Sequence, residues 1–161
     1  MEGRSHELLA LEKVLNPRNQ HPVDLNARQA ESVLNIAVIF TSVNATLEAL
    51  RQAGSLASSL GAHVTLLALQ VVPYPLPLES PPVLLDWNEN RFQRIAEESP
   101  VETTVRLYLC RETLQTLRDV LNPGSLVVIG ARKNWWPFSR EKRLARSLRR
   151  AGHDVVFTVT E

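Results

Sequence analysis

Residues 35–67 read NIAVIFTSVNATLEALRQAGSLASSLGAHVTLL, and this stretch decides the fold. Ile36–Thr41 (IAVIFT) is an unbroken apolar run with β-branched members, short enough for a strand buried on both faces. Ser42 or Asn44 stands where a helix N-cap belongs. Leu47, Leu50, Ala53, Ala57 and Leu60 then recur at three- and four-residue spacing, and Gly61 follows in the position of a C-terminal cap. His63–Val72, a second apolar strand closed by Pro73, completes a strand–helix–strand unit.

The alternation continues toward the C-terminus. Tyr74–Val83 (YPLPLESPPV) is too rich in proline for helix or strand and reads as an extended loop covering the sheet edge. Asp86–Glu98 fits a short helix with Trp87, Phe92, Ile95 and Ala96 as its apolar positions. Val101–Cys110 alternates with period two, placing Glu102, Thr104, Arg106 and Tyr108 on a polar face, as in a strand near a sheet edge. Thr113–Leu121 is helical, and Asn122-Pro123-Gly124 stops it. Ser125–Ile129 is a buried strand ended by Gly130. Arg140–Ala151 is a helix with a narrow stripe of Leu144, Ala145, Leu148 and Ala151, capped by Gly152, and Asp154–Val159 is the last strand. Strands alternating with helices predict a single α/β domain over residues 35–161, a doubly wound, five-stranded parallel sheet with helices on both faces. In such sheets ligands sit at the carboxyl ends of the strands. That end is marked by Thr41-Ser42-Val43 and by Gly130-Ala131-Arg132-Lys133.

Residues 1–34 fall outside that unit. Ser5 is placed to cap a helix running through Leu15, with Leu8, Leu11 and Leu15 in phase; Asn16-Pro17 stops it, and Asp24 is placed to cap a second short helix. The extension is expected to be a partly helical arm, packed on its own domain or reaching a second subunit.

At 161 residues, 18.1 kDa, 44% apolar and 22% charged, the composition is that of one globular domain, which excludes a disordered chain, a coiled coil and a collagen-like repeat. Cys110 is the single cysteine, so neither an internal disulfide nor a thiolate zinc site can form, in keeping with a reducing cytosol. The longest apolar stretch, Val64–Val72, is interrupted by Gln70, and the N-terminal residues lack the pattern of a signal peptide. The expected location is therefore cytoplasmic, with peripheral contact to a membrane as a variant.

Charge is segregated. Residues 131–150 carry eight Arg and Lys against one Glu, a net of +7, which leaves −6 for the remainder of a chain whose total is +1. This segment, ARKNWWPFSREKRLARSLRR, sets Trp135, Trp136 and Phe138 between two cationic clusters. Aromatic rings beside cations suit an anionic partner: a nucleotide phosphate, single-stranded nucleic acid or an anionic lipid surface presented to Trp135, Trp136, Arg140, Arg146, Arg149 and Arg150. The competing interpretation is that a Trp packs the loop onto the sheet while the arginines solvate an outer helix. The acidic balance of the rest of the chain disfavours dedicated nucleic-acid binding.

The pattern IAVIFTSVNATLEALRQAGSLASSLGAHVTLL, followed much later by SLVVIG, a loop, a helix and DVVFTV, resembles universal stress protein domains over residues 35–161. The resemblance implies a sheet of order 3-2-1-4-5, pairing of two copies through the last strand (Val155–Val159) and, in many members, ATP binding. It also implies an Asp at the end of the first strand, where this chain has Thr41. After the fourth strand the family pattern is Gly, two residues, Gly, nine residues, then Gly-Ser or Gly-Thr. Gly130 matches, but Lys133 replaces the second glycine and Arg143-Leu144 the final pair. Long side chains there block the close approach of backbone N–H groups to phosphate. The chain is thus more similar to the branch lacking these glycines, such as the domains inside potassium-sensing kinases. The cofactor that the resemblance implies is ATP or another nucleotide. An anion can still be held by Arg132, Lys133 and Arg143 together with the N-terminus of helix 140–151, capped by Ser139.

No catalytic constellation accompanies this surface. His6, His21, His63 and His153 are dispersed, which argues against a metal site, and His63 and His153 open strands at the opposite end of the sheet. Cys110 precedes Arg111, which would lower its pKa were the thiol exposed, although a buried structural role is the better expectation. Nucleophile-elbow, phosphate-loop and dinucleotide glycine motifs are all missing. The expectation is a non-catalytic regulatory or stress-associated binder of an anionic ligand at the ends of the first and fourth strands, weak ATP hydrolysis being left open. The alternative is a protein- or membrane-interaction module that uses the Trp135-Trp136 segment and basic helix with no nucleotide bound.

Overall fold

A computed structural model describes residues 10–15, 34–83, 85–133 and 139–160. In chain order the elements are β1 (Ala10–Leu15), β2 (Asn35–Ile39), α1 (Val43–Leu60), β3 (His63–Val71), α2 (Leu85–Glu98), β4 (Thr103–Cys110), α3 (Thr113–Val120), β5 (Leu126–Arg132), α4 (Arg140–Arg150) and β6 (Asp154–Thr160). Strands β2 to β6 are parallel and lie in the order β4-β3-β2-β5-β6, the expected 3-2-1-4-5 arrangement.

Continuous apolarity in the central strands follows from burial on both faces. Ile36 and Val38 of β2 point into a core shared with α1 and α2 (Leu50, Phe92, Ile95), whereas Ala37 and Ile39 point into a second core with α3 and α4 (Leu117, Leu148). Helix α1 buries a row of small residues, Ala45, Ala49, Ala53 and Ala57, beside Leu50. Such a row lets a helix lie close to a sheet, and Gly130 of β5 is the point of closest approach: a β-carbon there would stand 2.7 Å from the Ala45 carbonyl carbon and 3.2 Å from the Ala49 Cβ. Gly61 ends α1 in the left-handed conformation, its N–H bonded to the Ala57 carbonyl.

The N-terminal segment corrects one expectation. Residues 10–15 form a strand rather than a helix, antiparallel to β4 from Ala10 opposite Cys110 to Leu15 opposite Val105. In isolation ALEKVL suits either state. The unpaired backbone groups along the outer edge of β4 decide between them, because a strand satisfies that edge and a helix does not. The remainder of that predicted helix and the predicted helix at Asp24 lie outside the described residues. With β1 alongside, Tyr108 is buried rather than exposed, and Thr104 and Arg106 are half-buried.

The proline-rich loop packs over the β3–β4 end of the sheet. Leu78 is buried against Val72 and Leu109, and the Arg111 guanidinium donates to the carbonyls of Val72 (2.9 Å) and Leu76 (2.7 Å) while lying 4.1 Å from the Tyr74 ring centroid. Among the described residues no helix is long and apolar enough to cross a membrane.

Candidate functional site

At the carboxyl end of the sheet the central strands are laced together by short polar contacts. The Phe40 N–H extends the pairing of β2 to the Leu67 carbonyl (2.9 Å). Beyond it, the Thr41 N–H donates to the Thr46 Oγ1 (3.1 Å), and the Thr41 hydroxyl donates to the Gly130 carbonyl (2.6 Å). Thr41 thereby ties the tip of β2 to the tip of β5. Ser42 takes the N-cap position of α1 with extended backbone, but its hydroxyl caps nothing; Ser42 Oγ is buried with no hydrogen-bond partner.

Helices α3 and α4 open toward this end, and between them lies a cleft of about 490 Å³. Its floor is apolar: Ile39 and Phe40 from β2, Leu69 from β3, Leu114 from α3 and Leu144 from α4. Thr41, Thr113, Ser147, Glu141, Arg140 and Arg143 supply its polar groups. The two arginines stand on the first turn of α4, one helical turn apart, so both reach the same rim. Ser139 fixes that turn: its Oγ accepts from the Lys142 N–H (3.3 Å), and its carbonyl accepts from the Arg143 N–H (3.0 Å). Among the described residues neither guanidinium is hydrogen-bonded or ion-paired.

The residues singled out from sequence are distributed as follows. Thr41, Arg140 and Arg143 line the cleft, and Ser139 caps the helix that carries the arginines. Val43 instead lines a separate groove along α2 with Trp87, Asn90, Arg91 and Arg94. In that groove the Arg91 guanidinium lies 5.0 Å from the Phe40 centroid and 5.5 Å from the Trp87 centroid. Gly130 faces α1, and the space left by its missing side chain is filled by the Ala45 peptide. Arg132 and Lys133 are exposed at the end of β5, where the Lys133 N–H donates to the Thr160 carbonyl (2.7 Å). Arg146, Arg149 and Arg150 lie on the outer face of α4, away from the cleft; the Arg149 guanidinium donates to the Val155 carbonyl (3.2 Å). Trp135, Trp136 and Phe138 lie outside the described residues.

Sequence reasoning missed Thr113, Leu114, Leu69 and Ser147. The strand-end rule carries a signal for Leu69, Thr113 and Leu114, since β3 and β4 also finish here, whereas Ser147 stands two turns into α4 and has none.

Two other expectations are resolved nearby. Cys110 is fully buried, and burial pushes its thiol above the ordinary value, outweighing a hydrogen bond with Thr116 that lowers it; Glu112 raises it further. Arg111 does not activate the thiol, because its guanidinium is engaged by the proline-rich loop. His153 is buried at the far end of the sheet, where its Nδ1 accepts from the Ser125 N–H (3.2 Å). Among the described residues no group of His, Cys, Asp and Glu is arranged to hold a metal ion.

No family model and no curated protein sequence matches the chain. Solved structures do. The universal stress protein from Archaeoglobus fulgidus superposes with a TM-score of 0.53 at 18% identity, covering 77% of this chain and 92% of its own. A universal stress protein family member from Burkholderia pseudomallei superposes at 0.50 with 21% identity, covering 76% of this chain and 93% of its own. A universal stress protein in complex with cAMP superposes at 0.48 with 15% identity, covering 81% of this chain and 100% of its own. The first two superpositions, together with the strand order and the helices on both faces, identify the chain as a universal stress protein-like α/β domain in fold.

Proposed function

We propose that this chain is a non-catalytic, regulatory binding domain that takes an anionic small molecule at the carboxyl end of its sheet, in the cleft between α3 and α4. The observation that carries this reading is the pair Arg140 and Arg143 on the rim of an apolar-floored cleft, with no partner for either among the described residues. Both arginines are exposed at this rim, where the planar fork of a guanidinium pairs with an oxyanion through two parallel hydrogen bonds. The polar lining consists of hydroxyls, guanidiniums and the single carboxylate of Glu141, which supports binding rather than covalent or acid–base chemistry. Nucleotides and related phosphates belong among the anions to be tried.

Thermal shift tests the proposal. A ligand at about 100 times its Kd adds about 2.7 kcal/mol, which for a chain of this length raises Tm by roughly 5–10 °C. Nucleotides and organic acids form the panel, and Arg140→Glu/Arg143→Glu is expected to abolish every positive response. No shift with any anion, or shifts that survive the double charge reversal, would overturn the assignment.

We also propose a homodimer through the outer edge of β6, where Val159 is 54% exposed and, among the described residues, only β5 pairs with the strand. A second reading, docking of the outer face of α4 on an anionic membrane surface, draws on the exposed Arg146 and Arg150, which do not line the cleft. Co-sedimentation with phosphatidylserine vesicles that is lost in Arg146→Glu/Arg150→Glu would support it, and binding unchanged by that substitution would reject it.

A further inference from the structure

We infer that the cleft between α3 and α4 selects a small organic acid with an apolar body and a single carboxylate, in preference to a polyphosphate nucleotide; the inference rests on the anion-binding reading above. Three observations converge on it. First, the floor offers Ile39, Leu69, Leu114 and Leu144 with the ring of Phe40, apolar side chains that match a hydrocarbon body and supply no hydrogen bond to a base or sugar. Second, the rim charge is small. Arg140 and Arg143 are offset by Glu141 between them, leaving a net of one positive charge to meet the ligand. One carboxylate balances that charge and fits the planar fork of either guanidinium, whereas a triphosphate would set several negative charges beside Glu141.

Third, the backbone approach that a phosphate chain requires is already occupied. The open side of Gly130 is filled by the Ala45 peptide, and the Thr41 hydroxyl proton is committed to the Gly130 carbonyl. Arg132 and Lys133 are exposed and line no part of the cleft, so they do not add their charge to its rim. What remains is an amphipathic slot with a shallow cationic lip.

Calorimetric titration of the full chain with decanoate, decanol and ATP tests this selection. Decanoate is expected to bind at least tenfold more tightly than either comparator: decanol keeps the body and loses the charge, and ATP keeps charge and loses the aliphatic body. Arg143→Gln is expected to weaken decanoate about tenfold and leave decanol unchanged, with Arg143→Lys recovering part of the loss. Far-UV circular dichroism and an unchanged Tm confirm that each variant is folded. ATP binding more tightly than decanoate would overturn the selectivity and leave the anion site standing. Equal binding of decanoate and decanol would overturn the role of the carboxylate. Failure of decanoate and ATP alike would remove both the selectivity and the site.

Discussion

Replacing Gly130 by alanine probes the contact that sets the height of α1 above the sheet. The added β-carbon would lie 2.7 Å from the Ala45 carbonyl carbon, nearer still to its oxygen, and 3.2 Å from the Ala49 Cβ. The obstruction is helix backbone, which cannot swing aside as a side chain can. Ordinary contact is restored only when α1 retreats by about 1 Å, and a gap of that size forfeits about a quarter to a half of the dispersion attraction across it. Overpacking of this kind costs about 1–3 kcal/mol and occasionally more. Gly130 has no positive φ, so alanine adopts its backbone freely, and the lost freedom of the unfolded chain returns about 0.4–1 kcal/mol. The expected net destabilisation is about 1–2 kcal/mol, a fall in Tm of roughly 2–8 °C. Urea denaturation followed by circular dichroism measures it. Gly61→Ala is the control, because nothing lies within 4 Å of that position and its cost comes from a φ of 64° alone. A Gly130→Ala variant within about 0.5 kcal/mol of wild type would refute the packing role assigned to this glycine.

Other perturbations reach different parts of the structure. Thr41→Val removes the hydroxyl that ties β2 to β5 and is expected to cost about 1 kcal/mol in the same denaturation assay, since the Gly130 carbonyl loses its donor. The raised thiol pKa of Cys110 means that the unfolded chain ionises first; stability is intact at neutral pH and falls as pH rises above about 8.5, and Cys110→Ala should flatten that slope. The native thiol should also resist a disulfide-exchange reagent at pH 8 until urea unfolds the chain. Removal of residues 1–34 uncovers the backbone edge of β4, and light scattering should then show assembly beyond the dimer. Substituting Val159→Pro, whose N–H lies on the outer edge of β6 while its neighbour Thr160 pairs with β5, should convert a dimer to a monomer in the same measurement.

The parallel sheet was legible because each of its strands carries its signature internally. Ile36–Ile39, Leu66–Leu69 and Val127–Ile129 are apolar at consecutive positions, as a strand covered on both faces requires. The N-terminal strand was not legible. Leu8, Leu11 and Leu15 satisfy a helical spacing, and the deciding influence, the open edge of β4, lies about one hundred residues away in sequence. The site divided in the same way. Thr41 and Arg143 could be placed from strand ends and charge, whereas Leu114 and Ser147 belong to helices whose periodicity shows which residues face inward, not which of them stand at a gap. Gly130 shows a further limit: the need for glycine was readable, but the neighbour requiring it was α1 rather than a ligand.

The most direct measurement is a two-dimensional amide NMR titration of the full chain with decanoate. Shifts concentrated on Thr41, Leu69, Thr113, Leu114, Arg143 and Leu144 are expected. Shifts centred on the α2 groove at Trp87 and Arg91, or no perturbation at saturating acid, would contradict binding in the cleft.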